Sequence, residues 1–316
     1  MRIAALLLCA VCAAAVAQDK FPTRPITVVC PFQAGGLADM ISRAVAPIVS
    51  ESVRTPVIVE NRPGATGAIG AAYVARAKPD GHTLLIVPTS VLAINQWVYG
   101  SLPYNPETDF TPVINVGTSP NLLAVHPAVP AHDLAELVAL AKRKPLSFAS
   151  AGNGSPQHLC GELLKVVAGV DLVHVPYKGA APALQDVVAG QVPVICNSLA
   201  FILPQVRAGR LRAIALAAST RHPQAPEVPT AQEAGLPGFE SDVWFGFVAP
   251  AATPAAIVER LNVEIGRALR TPAVAGPLQA NGLMIVADSP REFGALIAAE
   301  SAKWRRIVER AGIKAE

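Results

Sequence analysis

The chain has 316 residues, of which 52% are hydrophobic and 16% are charged, and its formal net charge is +3. This composition excludes a disordered, highly charged chain, because the apolar content is high enough to build packed cores. The balance of 26 Lys plus Arg against 23 Asp plus Glu leaves no basic surplus for a phosphate backbone, so nucleic acid is not an expected partner. The length fits two domains of ordinary size.

The first 17 residues have the pattern of a secretory signal peptide. Arg2 precedes an apolar run over residues 3–14, and the small residues Ala15-Val16-Ala17 stand before the expected cleavage point. The run is shorter than the roughly 20 residues that span a membrane. We therefore expect residues 1–17 to be removed and the mature protein to be periplasmic, with a retained N-terminal anchor as the alternative.

From Ile26 onward, short β-branched runs alternate with alanine-rich helical segments, which is typical of α/β proteins with parallel strands. Asp39 and Arg43 stand four apart on the first helix and are interpreted as a surface ion pair. Two longer strands are then predicted, and we place a domain crossing near Asn121. The elements predicted in this part are strands at 26–30, 57–59, 84–87, 113–116 and 122–125, and helices at 37–49 and up to 77.

In the next part, helices and strands alternate again until the chain is expected to cross back near Asp242. The predicted organisation is two α/β domains, one formed by residues 18–121 plus 242–316 and the other by 122–241. The elements predicted here are helices at 133–144, 155–168 and 181–188, strands at 147–150, 172–175, 192–196, 211–216 and 243–248, and closing helices at 255–269 and 290–311.

Three cysteines remain after residue 17, namely Cys30, Cys160 and Cys196, so at most one disulfide can form among them. We interpret all three as buried small hydrophobic residues and leave open whether two of them pair. No His or Cys pair in this part of the chain has the spacing of zinc ligands, and neither a metal nor a cofactor is expected.

The loops that follow the strands carry the candidate site, because ligands of open parallel sheets bind at the carboxyl ends of the strands. These loops are rich in small and hydroxyl-bearing residues, and several precede helices and so present free backbone N–H groups. Lys178 is the only cation in them, which favours a small carboxylate over a phosphate. For any single loop, ordinary turn and N-cap residues are the alternative interpretation. The loops are 31–36, 88–90, 150–155, 176–179 and 197–198.

The sequence lacks the residue combinations that a catalytic site would require. The glycine-rich segment 64–70 has neither the P-loop nor the dinucleotide-binding spacing, and no Gly-x-Ser-x-Gly elbow occurs. Ser155 and His158 stand three apart at the start of one helix, but no acidic residue is placed to orient the imidazole. A secreted Ser/His hydrolase is therefore kept only as an alternative, and His158 is expected to be a packing or capping residue near the cleft.

Five segments occur in a characteristic order from about Phe21 to the C-terminus: Pro31–Asp39, Glu60–Gly67, Ala149–Glu162, Val175–Gly179 and Trp244–Pro250. Together they resemble the Bug-type extracytoplasmic solute receptors, the substrate-binding proteins of tripartite tricarboxylate transporters. The resemblance implies a type II periplasmic-binding-protein fold, with two α/β domains of parallel-dominated sheets, two crossing hinge strands and a ligand cleft that closes like a Venus flytrap. It implies a monomeric, non-enzymatic receptor that delivers its ligand to membrane subunits of the transporter. A ligand-sensing accessory of a two-component system is a further alternative.

The resemblance also implies that the first-domain loop anchors one carboxylate of the ligand, partly through water. Many members of the family have an aspartate where this chain has Asn197, and a neutral amide cannot pair with the ammonium group of an amino acid. We therefore expect a dicarboxylate, a hydroxy acid or an aromatic acid in preference to an amino acid. The expected ligand-binding residues are Phe32, Ala34, Gly35, Gly36, Thr89, Ser90, Ala151, Gly154, Ser155, His158, Tyr177, Asn197 and Trp244.

Overall fold

The computed structural model describes residues 21–313. The predicted signal peptide, residues 1–17, lies outside this range. A short 3₁₀ turn at Ala65–Gly67 and a π-helical turn at Ser90–Ile94 precede the second and third helices. The first elements are β1 (Ile26–Cys30), α1 (Leu37–Val53), β2 (Val57–Asn61), α2 (Ala68–Ala75), β3 (Thr83–Pro88), α3 (Asn95–Val98) and β4 (Phe110–Val125).

The remaining elements keep the predicted alternation, with two helices and one short strand that were not predicted. Those up to the second crossing are α4 (Leu134–Arg143), β5 (Leu146–Ser150), α5 (Pro156–Ala168), β6 (Leu172–Pro176), α6 (Ala180–Val188), β7 (Val194–Ser198), α7 (Leu199–Arg207) and β8 (Arg212–Ala217). The last are β9 (Asp242–Pro250), α8 (Ala255–Leu269), α9 (Pro272–Ala280), β10 (Met284–Ile285) and α10 (Pro290–Ala311).

The strands form two half-sheets that share β4. In the first half-sheet the order is β2-β1-β3-β9-β4, with β10 on the other side of β4. In the second it is β4-β7-β5-β6, with β8 also paired to β4. The βαβ units are parallel as predicted, but β4 and β9 run antiparallel to their neighbours, so the whole sheet is mixed. The carboxyl ends of the parallel strands carry the predicted loops.

β4 is one strand of 16 residues where two separate strands were predicted. Its residues up to Pro120 pair with β9, and those from Asn121 onward pair with β7 and β8. Two register shifts against β9, between Pro112 and Ile114 and between Asn115 and Gly117, make the first apolar run irregular. The side-chain amide of Asn121 donates to the carbonyl and the hydroxyl of Ser241, at 2.7 and 3.0 Å, and so ties the two crossing segments together.

Local signals explain where several helices begin. Ser155 caps α5 and is followed by proline at the first helical position, as helix N-termini prefer. Ser289 and Glu292 form a capping box at the start of α10. Helices α7 and α9 are absent from the prediction, and each contains an internal proline, Pro204 or Pro277, as α1 does with Pro47.

The core is continuous across the two half-sheets. One cluster of buried side chains includes Leu85 and Trp244 from the first half-sheet and Phe148 from the second, together with Trp304 of α10. Helix α10 packs on the π-helical turn, on β4 and on α5, so it contacts both halves. A second cluster joins β1 to α1 and α8, and a third joins β7 to α6 and α7. The loops at the strand ends are thus carried by rigid, buried elements.

Candidate ligand-binding site

The first loop, 31–36, is exposed around its glycines and is held by hydrogen bonds to Asp39 and Asn61. Gly35 has a φ of +92°, a conformation that glycine adopts without strain, and its N–H donates to Oδ2 of Asp39 at 3.0 Å. Gly36 stands at the N-cap of α1, where no side chain satisfies the first N–H groups of the helix. Ala34 is exposed and Phe32 is half-buried. This loop therefore presents backbone donors at the positive end of a helix.

Asp39, interpreted from the sequence as part of a surface pair, is instead buried at the centre of a network. Its carboxylate accepts hydrogen bonds from Arg43 at 2.9 Å, from the Asn61 amide at 2.8 Å and from the Gly35 N–H. The Asn61 amide also donates to the Phe32 carbonyl at 3.0 Å. Burial opposes ionisation of Asp39, but these hydrogen bonds outweigh it and hold its pKa below the usual value.

The second loop, after β3, offers fewer free side-chain groups to a ligand than the sequence predicts. The Thr89 hydroxyl accepts the Trp244 N–H at 2.9 Å, so it joins β3 to β9 and is not free for a ligand. Ser90 is buried at the start of the π-helical turn. The Trp244 ring is buried edge-on against Phe293 at 5.3 Å, and its Nε1 has no partner among the described residues.

Loop 150–155 is shaped by glycines and held to the neighbouring loop. Gly152 and Gly154 have φ values of +123° and +71°, so both positions favour glycine. The carbonyl of Ala151 accepts the Gly179 N–H at 3.3 Å, which joins this loop to loop 176–179. Tyr177 turns its hydroxyl to the Asp186 carboxylate at 2.6 Å, and burial followed by this contact raises the pKa of Tyr177 to about 12.

At the end of β7, Asn197 is buried and carries an unused donor. Its Oδ1 accepts the Gln157 amide at 2.9 Å and the Ser198 N–H at 2.7 Å. These two bonds orient the amide group, and they leave Nδ2 buried without a partner in the described part of the chain. A buried unpaired donor is costly unless a ligand or water completes it. Gln157, which sets this orientation from α5, was not singled out in the sequence.

Ser155 and His158 do not form a catalytic pair. The Ser155 hydroxyl accepts the backbone N–H of His158 at 3.2 Å, as an N-cap, and does not contact the imidazole. The ring nitrogen Nδ1 instead accepts the Gly154 N–H at 3.1 Å. His158 is therefore a buried residue that supports the loop, as the interpretation of it as a packing or capping residue anticipated, and the hydrolase alternative loses its nucleophile and base.

A disulfide between Cys160 and Cys196 answers the question that the sequence left open. It joins α5 to β7 one residue before Asn197, with the two Cα atoms 6.1 Å apart. All three cysteines are buried as predicted, and burial raises the pKa of the Cys30 thiol, the free one among the described residues. The disulfide thus fixes the helix and the strand that carry the second-domain part of the site.

Two further observations concern the described residues as a whole. Within residues 21–313, no cluster of His, Cys, Asp and Glu has the geometry of a metal site, and no helix is both long and apolar enough to cross a membrane. A cavity of about 480 Å³ between α3, β4 and α10 is lined by other residues than the predicted ones, including Trp97, Ile297 and Arg305.

Two half-sheets joined through shared crossing strands, with glycine-rich helix N-termini at the strand ends, are the features of a type II periplasmic binding protein. The model of the family described as tripartite tricarboxylate transporter family receptor matches residues 41–313, and the chain belongs to this family. Protein BugT of Bordetella pertussis is 36% identical over 305 residues, which cover 96% of this chain and 94% of BugT.

Two solved structures share the fold and a third or more of the sequence. R. palustris Rpa4515 with adipate is 37% identical, with a TM-score of 0.79 over 93% of this chain and 100% of that one. MatC from Rhodopseudomonas palustris with bound malate is 36% identical, with a TM-score of 0.75 over 91% of this chain and 100% of that one. The α/β binding-protein fold and the resemblance to Bug-type receptors are confirmed.

Membership of this family also sets the class of function. Its members are extracytoplasmic solute-binding proteins and not enzymes, so the expectation of a non-enzymatic protein is confirmed. The expected ligand-binding residues differ in whether their polar groups are already hydrogen-bonded within the protein. The hydroxyls of Thr89 and Tyr177 and the N–H groups of the loop glycines Gly35, Gly152 and Gly154 are engaged within the protein. The N-terminus of α1 has no side-chain cap, and Nδ2 of Asn197 has no partner among the described residues.

Proposed function

We propose that the protein is a periplasmic receptor that captures a small carboxylate between two domains, residues 18–121 plus 242–316 and residues 122–241, and delivers it to membrane subunits of a tripartite tricarboxylate transporter. The observation that carries the proposal is that relatives of the same fold over most of their length are solved with adipate and with malate. The receptor acts as a monomer, which a molecular-mass measurement in solution tests directly.

The hydrogen-bond donors at the proposed cleft are neutral groups, and they suit an anionic ligand. Gly36 leaves the N-terminus of α1 without a side-chain cap, whereas the N-terminus of α5 is capped by the Ser155 hydroxyl. Lys178, the cation of these loops, is exposed. Helix N-termini and neutral donors bind a carboxylate in this way, aided by ordered water.

The Asn197 amide supports a preference for acids without an ammonium group over amino acids. Its oxygen is already occupied by Gln157 and Ser198, so the group that it offers to a ligand is the Nδ2 donor. A donor suits a carboxylate or hydroxyl oxygen and repels an ammonium group. We therefore expect dicarboxylates, hydroxy acids or aromatic acids to bind in preference to amino acids.

A thermal-stability screen with adipate, malate, benzoate, aspartate and glutamate tests the proposal. A ligand at a hundredfold excess over its dissociation constant stabilises the protein by about 2.7 kcal/mol, without turnover. Asn197→Asp is the matched variant, because it exchanges the free donor for a charged acceptor and is expected to weaken the acids and favour the amino acids. Stabilisation of the parent by glutamate but by none of the other acids would contradict the proposal.

Delivery and export need cellular measurements. Uptake of the identified acid by cells should require both this receptor and the membrane subunits, whereas a sensing accessory would alter gene expression and leave uptake unchanged. The protein isolated from the periplasm should have the mass of a chain that starts at Gln18, as cleavage after Ala17 requires.

A further inference from the structure

A buried histidine, His158, and a half-buried one, His174, hold loop 150–155 from different elements. His158, in the first turn of α5, accepts the Gly154 N–H on Nδ1 at 3.1 Å. His174, in β6, places Nε2 2.6 Å from the Ser150 hydroxyl at the start of the loop. The same hydroxyl contacts the N–H and the carbonyl of Gly152, at 3.1 and 3.2 Å. Each end of the loop is therefore fixed by one imidazole ring.

The two rings are stacked on each other. Their centroids lie 3.8 Å apart with an angle of 13° between the planes, and Phe148 stacks against His174 at 5.0 Å. Neutral aromatic rings pack well in this arrangement, whereas two imidazolium cations at this distance repel each other in a buried site. The stack therefore favours neutral rings and couples the state of one ring to that of the other.

The hydrogen bonds determine which nitrogen of His158 carries its proton. A neutral imidazole has one donor and one acceptor nitrogen. Because Nδ1 accepts the Gly154 N–H, the proton lies on Nε2, which faces Oε1 of Glu162 at 3.7 Å. A second proton can be added only at Nδ1, where it would meet the N–H of Gly154, and two donors cannot share a hydrogen bond. Protonation of His158 is thus incompatible with its contact to the loop.

Burial and the nearby Lys165 ammonium oppose protonation of the two rings. Burial lowers the pKa of His158 to about 4, with further contributions from His174 and Lys165, and burial followed by Lys165 lowers the pKa of His174 to about 4. Glu162, the carboxylate that faces His158, is held by Lys165 at 3.0 Å. Phe148 of β5, whose ring lies against both imidazoles, does not titrate.

We propose that His158 is a positioning residue for loop 150–155, whose uncharged Nδ1 keeps the loop in its ligand-binding conformation and whose protonation opens the loop and weakens carboxylate binding. His174 fixes the opposite end of the same loop. The part of this inference that concerns binding rests on the proposed function, whereas the part that concerns the loop applies to the ligand-free protein. The receptor then holds its ligand at neutral pH and releases it as the solution becomes acidic.

NMR of the ligand-free protein tests the loop without any ligand. Histidine-labelled protein should show an unprotonated Nδ1 and a protonated Nε2 at His158 near neutral pH. On acidification, the Gly154 amide resonance should shift with the same midpoint as His158. A proton on Nδ1 at neutral pH, or a Gly154 amide that does not respond while His158 titrates, overturns the inference whatever the protein binds.

Binding measurements with adipate and malate then test the consequence. If release is linked to uptake of one proton by His158, the dissociation constant rises by up to about tenfold per pH unit as the pH falls below the pKa of His158 in the ligand-free protein, about 4. His158→Asn keeps an acceptor near the position of Nδ1 but cannot be protonated. This variant should bind within about tenfold of the parent and lose the additional acid dependence. The difference between the two proteins removes the titration of the ligand itself.

Two more variants complete the comparison. His158→Leu removes the acceptor and should bind more weakly at every pH, by about tenfold or more, because it leaves a buried N–H unpaired. His132→Gln changes an exposed histidine of the same half of the chain and should keep the parent profile. Equal pH profiles for the parent and His158→Asn overturn the inference. Failure of both acids to bind contradicts the proposed function alone, and the NMR experiment still decides the role of His158 in the loop.

Discussion

The disulfide between Cys160 and Cys196 allows a quantitative test of how the second half-sheet is stabilised. The bond closes a loop between residues 36 apart in the sequence, and it is buried between α5 and β7. The loop-closure entropy that a cross-link of this length removes from the unfolded chain corresponds to about 4 kcal/mol at 25 °C. We therefore expect reduction, or the double substitution Cys160→Ala with Cys196→Ala, to lower the free energy of unfolding by about this amount.

The assay is equilibrium unfolding in urea, followed by fluorescence, on the oxidised and reduced protein and on the double variant. Cys30→Ala is the matched control, because Cys30 is equally buried but lies outside the bridge. A count of reactive thiols in the unfolded, unreduced protein should find one in the mature chain. Two results would refute the reasoning: three reactive thiols in the protein isolated from the periplasm, or a change of less than about 1 kcal/mol on reduction.

Three other substitutions or conditions test separate parts of the structure. Asp39→Ala removes the carboxylate that orders the first loop and should weaken ligand binding at least tenfold, measured by calorimetry, with a smaller loss of stability. Gly161→Ala places a methyl group against the Phe148 ring and should destabilise the protein by about 1–3 kcal/mol in urea unfolding. Because the pKa values of His158 and His174 are lowered, the unfolded chain takes up protons first as the pH falls from 6.5 towards 4. The free energy of unfolding should fall by about 1.4 kcal/mol per pH unit through His158. The fall through His174 should be smaller, because that ring is only half-buried and solvent screens it. The total fall should be smaller in His158→Asn.

Much of the fold could be predicted from local signals. Strand β1 and helices α8 and α10 have their predicted bounds, because the apolar pattern is clear there and, in α10, a capping box marks the start. The unbroken course of β4 could not be predicted, since the backbone of the residues between its apolar runs pairs with β9, a partner more than 100 residues away. Helices α7 and α9 show that packing overrides the local cost of proline.

The candidate site was predicted at the level of loops but not at the level of the contacts that hold them. Glycine and serine patterns located loops 31–36 and 150–155. The side chains that brace these loops come from other elements, as with Asn61 for the first loop and His174 for the second. Spacing along the chain carries no information about such long-range hydrogen bonds, so the burial of Asp39 was missed as well.

Helix α10 places a mechanical condition on any closing motion. It packs on the π-helical turn and β4 in one half of the molecule and on α5 in the other. A stiff helix of 22 residues cannot follow two bodies that swing apart. The axis of rotation must therefore pass near its contacts, with little displacement there and the largest travel at the distant strand-end loops. Spectroscopic labels on loops 31–36 and 150–155 would report this rotation, and a pair that links α10 to α5 would serve as the stationary reference.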